Sequence, residues 1–241
     1  EMSDAMLVRG LSNSYGGKKV LQGLELSVRS GSVFGLLGAN GAGKSTTIEC
    51  MLGVQKPDAG TVRLLGQDPA LSRKALFQEI GVQFQEGDYQ KEIKVTELCE
   101  ETACLYRKSA DWRALCVQFG LGDKLNMPVK SLSGGERQRL FIVLALIPQP
   151  RLVFLDELTT GLDARARRGV WRALETLKKQ GLTIFLTSHF MDEVEALCDE
   201  ICILKKGVAV FHGTVEEAMR LCGCERFEDA YLTLSEEGTA E

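Results

Sequence analysis

Apolar and polar positions divide the chain into two kinds of segment. Short, strand-like runs come early: MLVRGL (6–11), LELSVRS (24–30), SVFGLLG (32–38) and TVRLLG (61–66). The third run leads straight into a glycine loop, and a helix is predicted from Lys44 to about Leu52. From about Thr96 to Gly120 the period becomes helical, with Leu98, Ala103, Leu105, Trp112, Leu115 and Phe119, and no convincing strand. A further helix is predicted over Glu136 to Leu146. RLVFLDEL (151–158) and LTIFLTSH (182–189) are continuous apolar runs, as fully buried strands are. ARARRGVWRALETLKK is an amphipathic helix with Val170, Trp171, Leu174 and Leu177 on one side. MDEVEALC is a short helix, and ICILKKGVAVFHG is a hairpin turning at Lys206-Gly207. Apolar strands separated by helices imply an α/β fold, with a mostly parallel sheet flanked by helices. The expected layout is one domain over 5–234. Its core covers about 5–87 and 149–225, a helical subdomain is inserted at about 88–148, and 226–241 form a short tail.

In such sheets the ligand crevice lies beyond the carboxyl ends of the strands. The glycine loop, Asp156-Glu157 and Ser188-His189 all fall at such ends. With 241 residues, 44% of them hydrophobic, one domain or a domain with a subdomain can bury a sizeable core. The net charge of -4 offers no basic footprint, so no nucleic-acid partner is expected. No apolar run approaches the roughly 20 residues that span a bilayer. The N-terminal EMSDAMLVRG lacks the apolar core of a signal peptide, and Met2 or Met6 is the expected natural start. The eight cysteines lie in apolar periodic stretches such as EALCDEICIL, which suits reduced core thiols. Cys222 and Cys224 are the only close pair, and no second His or Cys pair accompanies them as a metal site would need.

GANGAGKS, Gly38 to Ser45, fits the phosphate-loop pattern G-x-x-x-x-G-K-[ST] between a strand and a helix. Its glycines let backbone N–H groups converge on phosphates. Lys44 would reach the β- and γ-phosphates, and the Ser45 hydroxyl would ligate Mg²⁺. A buried strand delivers Asp156 to the same metal, which takes few protein carboxylates. Glu157 follows on the opposite side of the pleat. Its work would be to orient or deprotonate the attacking water, the bland alternative being a solvated strand-end charge. SLSGGERQRL (131–140) then poses a puzzle. A glycine pair opening a helix also suits an anion, and the chain already has one phosphate loop.

GANGAGKST, LSGGERQ, FLDELTTGLD and TSH stand in the order and spacing of the ATP-binding-cassette (ABC) transporter nucleotide-binding subunits, which the chain resembles over nearly its whole length. LSGGE is close to unique to that family. The resemblance implies a P-loop NTPase core with an N-terminal antiparallel β region and an inserted helical subdomain. It also implies ATP and Mg²⁺ as ligands and two cassettes packed head to tail. It thereby answers the puzzle: Ser133 and Gly135 would contact the nucleotide held by the partner's loop. By the same resemblance Gly38, Asn40, Gly41, Ala42, Gly43, Lys44, Ser45 and Thr46 bind phosphate, and Tyr15 stacks on adenine, though a Tyr before Gly-Gly is often only a turn residue. Gln85 resembles the glutamine that senses Mg²⁺ and the γ-phosphate, with Gln83 as the competitor. Asp163 resembles the aspartate that meets the partner subunit, and His189 the histidine that touches the γ-phosphate. His212 is expected on a surface hairpin. The chain departs from the family at Leu158, usually proline, and at Glu200, often arginine.

One cassette, without long heptads, argues against translation factors and condensation ATPases. The ending RFEDAYLTLSEEG resembles those of multidrug, antibiotic and polysaccharide exporters. The resemblance therefore favours a prokaryotic export subunit on the cytoplasmic face of the membrane. It would pair with a second copy and a separate permease, docked near Gln85 to about Leu105. An importer subunit, or a non-transport cassette, is the alternative.

Overall fold

The computed structural model describes residues 4–83 and 92–235. Two long strands come first, β1 (Asp4–Tyr15) and β2 (Lys18–Arg29). Gly16 and Gly17 join them with φ of 55° and 81°, the left-handed pair that a tight hairpin turn needs. Next come β3 (Val33–Gly38), α1 (Lys44–Met51), β4 (Ala59–Leu64), the single turn α2 (Arg73–Leu76) and β5 (Ile80–Gln83). Three helices follow: α3 (Val95–Cys104), α4 (Trp112–Gln118) and α5 (Gly134–Leu146). The chain continues through β6 (Leu152–Leu155), α6 (Ala164–Lys179), β7 (Thr183–Thr187), α7 (Met191–Leu197), β8 (Glu200–Lys205), β9 (Val208–Gly213), α8 (Val215–Cys222) and α9 (Phe227–Ser235).

The chain divides into two compact units, one of the residues up to Leu76 and from Thr187 onward, the other of Phe77–Leu186. In the first unit an antiparallel sheet has the order β2-β1-β4. Beside it β3 pairs in parallel with β8, and β8 antiparallel with β9. All six residues of β3 are buried. Leu37, Val194, Ile201, Ile203, Phe227 and Ala230 form one core cluster that ties β3 and β8 to α7 and α9. In the second unit β5, β6 and β7 are parallel, with Ile80 opposite Leu152 and Leu152 opposite Thr183. The β6 and β7 strands are buried throughout, and Phe154 and Phe185 meet with centroids 5.4 Å apart. Gly81 lets α5 lie close on β5: a Cβ there would be 1.9 Å from the Ala145 carbonyl oxygen. The α/β reading therefore holds, with mostly parallel strands and a separate antiparallel N-terminal sheet.

Some details differ from the sequence pattern. The helical stretch 96–120 is two helices, not one run. Asp111 starts the second by accepting from the N–H groups of Arg113 and Ala114, at 3.0 and 3.1 Å, as an N-cap does. Leu105 then falls between helices and is 73% exposed. On α6 the fully buried residues are Val170, Ala173 and Leu174, while Trp171 and Leu177 are half-buried. The pattern passed over β5, α8 and α9. Among the described residues no helix is long and apolar enough to cross a membrane.

The cysteines are free, with Cys50, Cys99, Cys116 and Cys202 buried and Cys104 exposed. Burial pushes the Cys50 thiol up to about 11 and the Cys202 thiol up to about 12. Thiolates are the reactive form, so both should be inert while the protein is folded. With a neutral-pH alkylating reagent and mass spectrometry, Cys104 should label first. Cys50 and Cys202 should label only after denaturation.

Candidate functional site

In the first unit the strand β3 ends in the loop Gly38–Gly43, which turns into α1. Gly38, Gly41 and Gly43 have φ of 152°, 79° and 111°, where a side chain is strained. Space is also limiting. A Cβ on Gly38 would meet the Leu204 carbonyl oxygen at 2.5 Å, and one on Gly43 would meet Leu21 at 2.9 Å. Around Gly41 nothing lies within 4 Å, so there the loop is open. The cap residue of α1 is Gly43 itself, and no side chain caps the helix. The helix start thus presents backbone donors and a positive dipole end to the loop. Lys44 Nζ donates to the Gly38 and Ala39 carbonyls at 2.7 and 3.2 Å, which places the ammonium at the loop's rim. Ser45 is exposed beside it, Thr46 is half-buried, and Thr47 is sealed in by a 2.7 Å bond from Oγ1 to the Gly43 carbonyl.

A second support comes from the hairpin between β8 and β9. The Gly207 N–H donates to the Ala42 carbonyl at 2.9 Å, and the Gly207 carbonyl accepts from the Gln22 N–H at 3.0 Å. Lys206 and Gly207 both have positive φ, 48° and 81°. The loop therefore rests on a tight turn that is itself stapled to β2. Tyr15, at the tip of β1, is 77% exposed. His189, just past β7, is also exposed. It lines a cavity of about 370 Å³ with Met191, Asp192, Glu225 and Phe227. His212 sits half-exposed on β9, as the hairpin reading expected, with Nε2 3.6 Å from Glu200. The departure at Glu200 has a local partner too, Arg29 at 2.6 Å.

In the second unit β6 ends at Leu155, so Asp156 and Glu157 lie in the turn beyond it. This corrects the expectation that Glu157 sits across the pleat from Asp156. Glu157 has φ of 49°, a left-handed conformation that costs a non-glycine residue about 1–2 kcal/mol. Two glutamines hold the turn. Gln83 Nε2 donates to the Asp156 carbonyl at 3.3 Å. Gln138 Nε2 donates to the Glu157 and Leu158 carbonyls at 3.1 and 3.0 Å. Such bonds contribute about 1 kcal/mol each, enough together to offset the backbone cost. Leu158, the departure from proline, is fully buried and anchors the turn.

The α5 helix begins at Ser133. Its Oγ accepts from the Glu136 N–H at 3.2 Å, while Glu136 accepts from the Ser133 N–H at 2.8 Å, a reciprocal capping box. That backbone bond, helped by the Ser133 hydroxyl and Lys124, holds the Glu136 carboxyl below its usual range. Ser133 and Gly134 are exposed. Gly135 is not open: a Cβ there would lie 3.1 Å from Leu162. Asp163 caps α6, accepting from the Ala166 N–H at 2.8 Å.

The family model described as "ABC transporter" matches residues 21–160. This chain belongs to the ABC transporter family. Nod factor export ATP-binding protein I of Ralstonia nicotianae is 40% identical over 230 residues, which are 92% of this chain and 71% of that one. The protein of that name from Rhizobium etli is 39% identical over 224 residues, 90% and 71% of the two chains. The solved structure of an ATP binding subunit of an ABC transporter superimposes with a TM-score of 0.88. It is 27% identical, and the match covers 96% of this chain and all of that one. The structure of cbiO1 from Clostridium perfringens, part of the ABC transporter complex cbiONQ, gives 0.77 at 26% identity over 97% and 99%.

The residues that the sequence reading expects at the site divide between the units. Tyr15, the Gly38–Thr46 loop and His189 belong to the first; Asp156, Glu157, Ser133, Gly135 and Asp163 belong to the second. Gln85 lies outside the described residues. Its competitor Gln83 is buried, bonds the turn through Nε2, and leaves Oε1 buried without a hydrogen-bond partner among the described residues. Sequence reasoning passed over Gln138 and Gly207. Gln138 follows Gly135 by three residues, on the face that continues through buried Ile142 and Ala145. A polar residue in an apolar stripe was the available signal. Gly207 was read as a turn, with no hint that the phosphate loop leans on it.

In Gly207→Ala the new methyl would lie 1.9 Å from the Val20 carbonyl oxygen. The backbone must shift, at a cost on the order of 2–3 kcal/mol. The thermal midpoint should fall, and nucleotide affinity with it, since the Ala42 carbonyl loses its donor. A melting curve with and without ATP checks both.

Proposed function

We propose that this chain is the ATP-hydrolysing subunit of a prokaryotic exporter, working as a head-to-tail pair beneath a separate membrane permease. The observation that carries the nucleotide site is the uncapped start of α1, with its left-handed glycines and Lys44 at the rim. The loop's shape fits a phosphate chain, since side chains are excluded where the backbone must approach. Ser45 and Asp156 supply the hard oxygen donors that Mg²⁺ takes. When bound, that ion would neutralise charge on the β- and γ-phosphates. Lys44 stabilises the γ-phosphate as a point charge. Glu157 accepts a proton from the attacking water, and its turn is braced for that task. Gln85 and His189 complete the γ-phosphate contacts, and Tyr15, exposed at its hairpin tip, offers a flat face to adenine.

The α5 start is the second phosphate contact. Ser133 and Gly135 would meet the partner's nucleotide there, Ser133 exposed and Gly135 partly so. Asp163 sits on the exposed cap of α6. A nucleotide shared by two subunits stabilises their association by mass action, and hydrolysis releases them. Export is favoured by the two relatives named as export proteins. The permease partner is favoured by the likeness to cbiO1, part of the ABC transporter complex cbiONQ.

The decisive experiment pairs kinetics with co-purification. Glu157→Gln should slow hydrolysis by roughly two to four orders of magnitude while ATP binding stays intact. Lys44→Ala should lose both. Tagged protein from gently extracted cells should bring down a polytopic membrane protein in equal amount. Normal hydrolysis by Glu157→Gln would remove the base assignment, and soluble partners alone would remove the transporter assignment.

A further inference from the structure

We propose that Gln138 is a positioning residue for hydrolysis, acting through the backbone of Glu157. The proposal rests on the reading of Glu157 as the base. Three consecutive carbonyls of the acidic turn, those of Asp156, Glu157 and Leu158, accept hydrogen bonds from glutamine side chains. Gln83 reaches the first from β5, and Gln138 reaches the other two from α5. Beyond the end of β6 these carbonyls leave the strand ladder, and that of Glu157 also accepts from the Thr160 N–H at 3.2 Å. The donors that meet a carbonyl together fix its peptide plane. Glu157 itself is held at a left-handed φ of 49°. Gln138 bonds the carbonyls of the two peptide units that follow Glu157. It thereby sets the direction in which the Glu157 side chain leaves the backbone. The helix it stands on is closely seated: a Cβ on Gly135 would lie 3.1 Å from Leu162, and one on Gly81 1.9 Å from the Ala145 carbonyl oxygen. The amide thus reads as a fixed strut between a rigid helix and a strained turn.

A base displaced by a fraction of an ångström loses rate but not substrate. Gln138→Met, similar in length and without donors, should lower kcat by about tenfold to a hundredfold. KM and ATP affinity should stay within about twofold of wild type. A strut that acts only through Glu157 has nothing left to do once Glu157 is gone. Gln138→Met placed on Glu157→Gln should therefore leave the residual rate unchanged. Gln138→Glu gives a second reading in a variant of nearly the same shape, should the Met variant fail to fold. As a carboxylate it cannot donate to the two carbonyls, but its protonated form can. Between about pH 8 and about pH 6 its kcat relative to wild type should rise, since facing carbonyls and partial burial favour protonation. A merely structural role would give no such trend.

Wild-type kcat in Gln138→Met, a further loss on the Glu157→Gln background, or a flat pH ratio for Gln138→Glu would each overturn the proposal. If Glu157→Gln is inactive while Gln138→Met is fully active, this inference alone falls. If Glu157→Gln hydrolyses normally, the base assignment falls and takes this one with it.

Discussion

Where a β-strand ends, its backbone loses the partners that the ladder supplied, and each buried polar group must be met by something else. Both chemical segments of this protein lie at such ends. The loop after β3 turns through left-handed glycines, and the turn after β6 turns through a left-handed glutamate. Neither could stand unaided. The Gly207 N–H meets one carbonyl of the loop, and the Lys44 ammonium meets two more. Two glutamine amides meet three carbonyls of the turn. The surrounding fold, from the stapled hairpin to the tightly seated α5, exists at these points to keep those donors still.

The same constraint explains why glycines recur and why they are not equivalent. Gly41 faces open space, and its value is conformational. Gly38 and Gly43 are fixed by both φ and contact, so the loop cannot swell toward the core. On α5, Gly134 is open while Gly135 touches Leu162. One glycine of the pair is available to a ligand at the surface, and the other lets the helix approach the turn that carries Glu157. A motif that looks uniform in sequence therefore does two jobs on one helix.

Much of this was legible before any coordinates. Apolar runs gave β3, β6, β7 and β8, because strands buried on both faces leave a continuous signature. The glycine loop was legible from its spacing between a strand and a helix, Asp156 from the end of a buried strand, and Ser133 only from the family resemblance. Less visible were features that depend on contact. The short strand β5 carries only IGVQ, too brief for a period to register. Residues 227–235 looked like a tail, yet Phe227 and Ala230 are fully buried in the core of the first unit. Glu157 was placed across the pleat because a strand was assumed to continue. It ends two residues sooner, and only a dihedral angle reveals the turn. Gln138 was hidden for a related reason: its partners are backbone carbonyls some twenty positions away, and a backbone partner leaves no residue type to notice.

The choice of donor is itself informative. An arginine or lysine in place of Gln138 would hold the same carbonyls more strongly, since charged donors make the stronger bonds. It would also set a positive charge beside the carboxylate proposed to accept a proton. A nearby cation favours the ionised form and so weakens the base. A neutral amide orients the backbone without that penalty. Arginines stand on either side, Arg137 and Arg139, and the helix turns both elsewhere: Arg137 toward the Leu132 carbonyl, Arg139 toward those of Phe119 and Gly120. Both therefore brace the scaffold through backbone carbonyls of other segments. The helical period of α5 thus sorts these polar residues by charge, with the uncharged one directed at the turn that carries the proposed base.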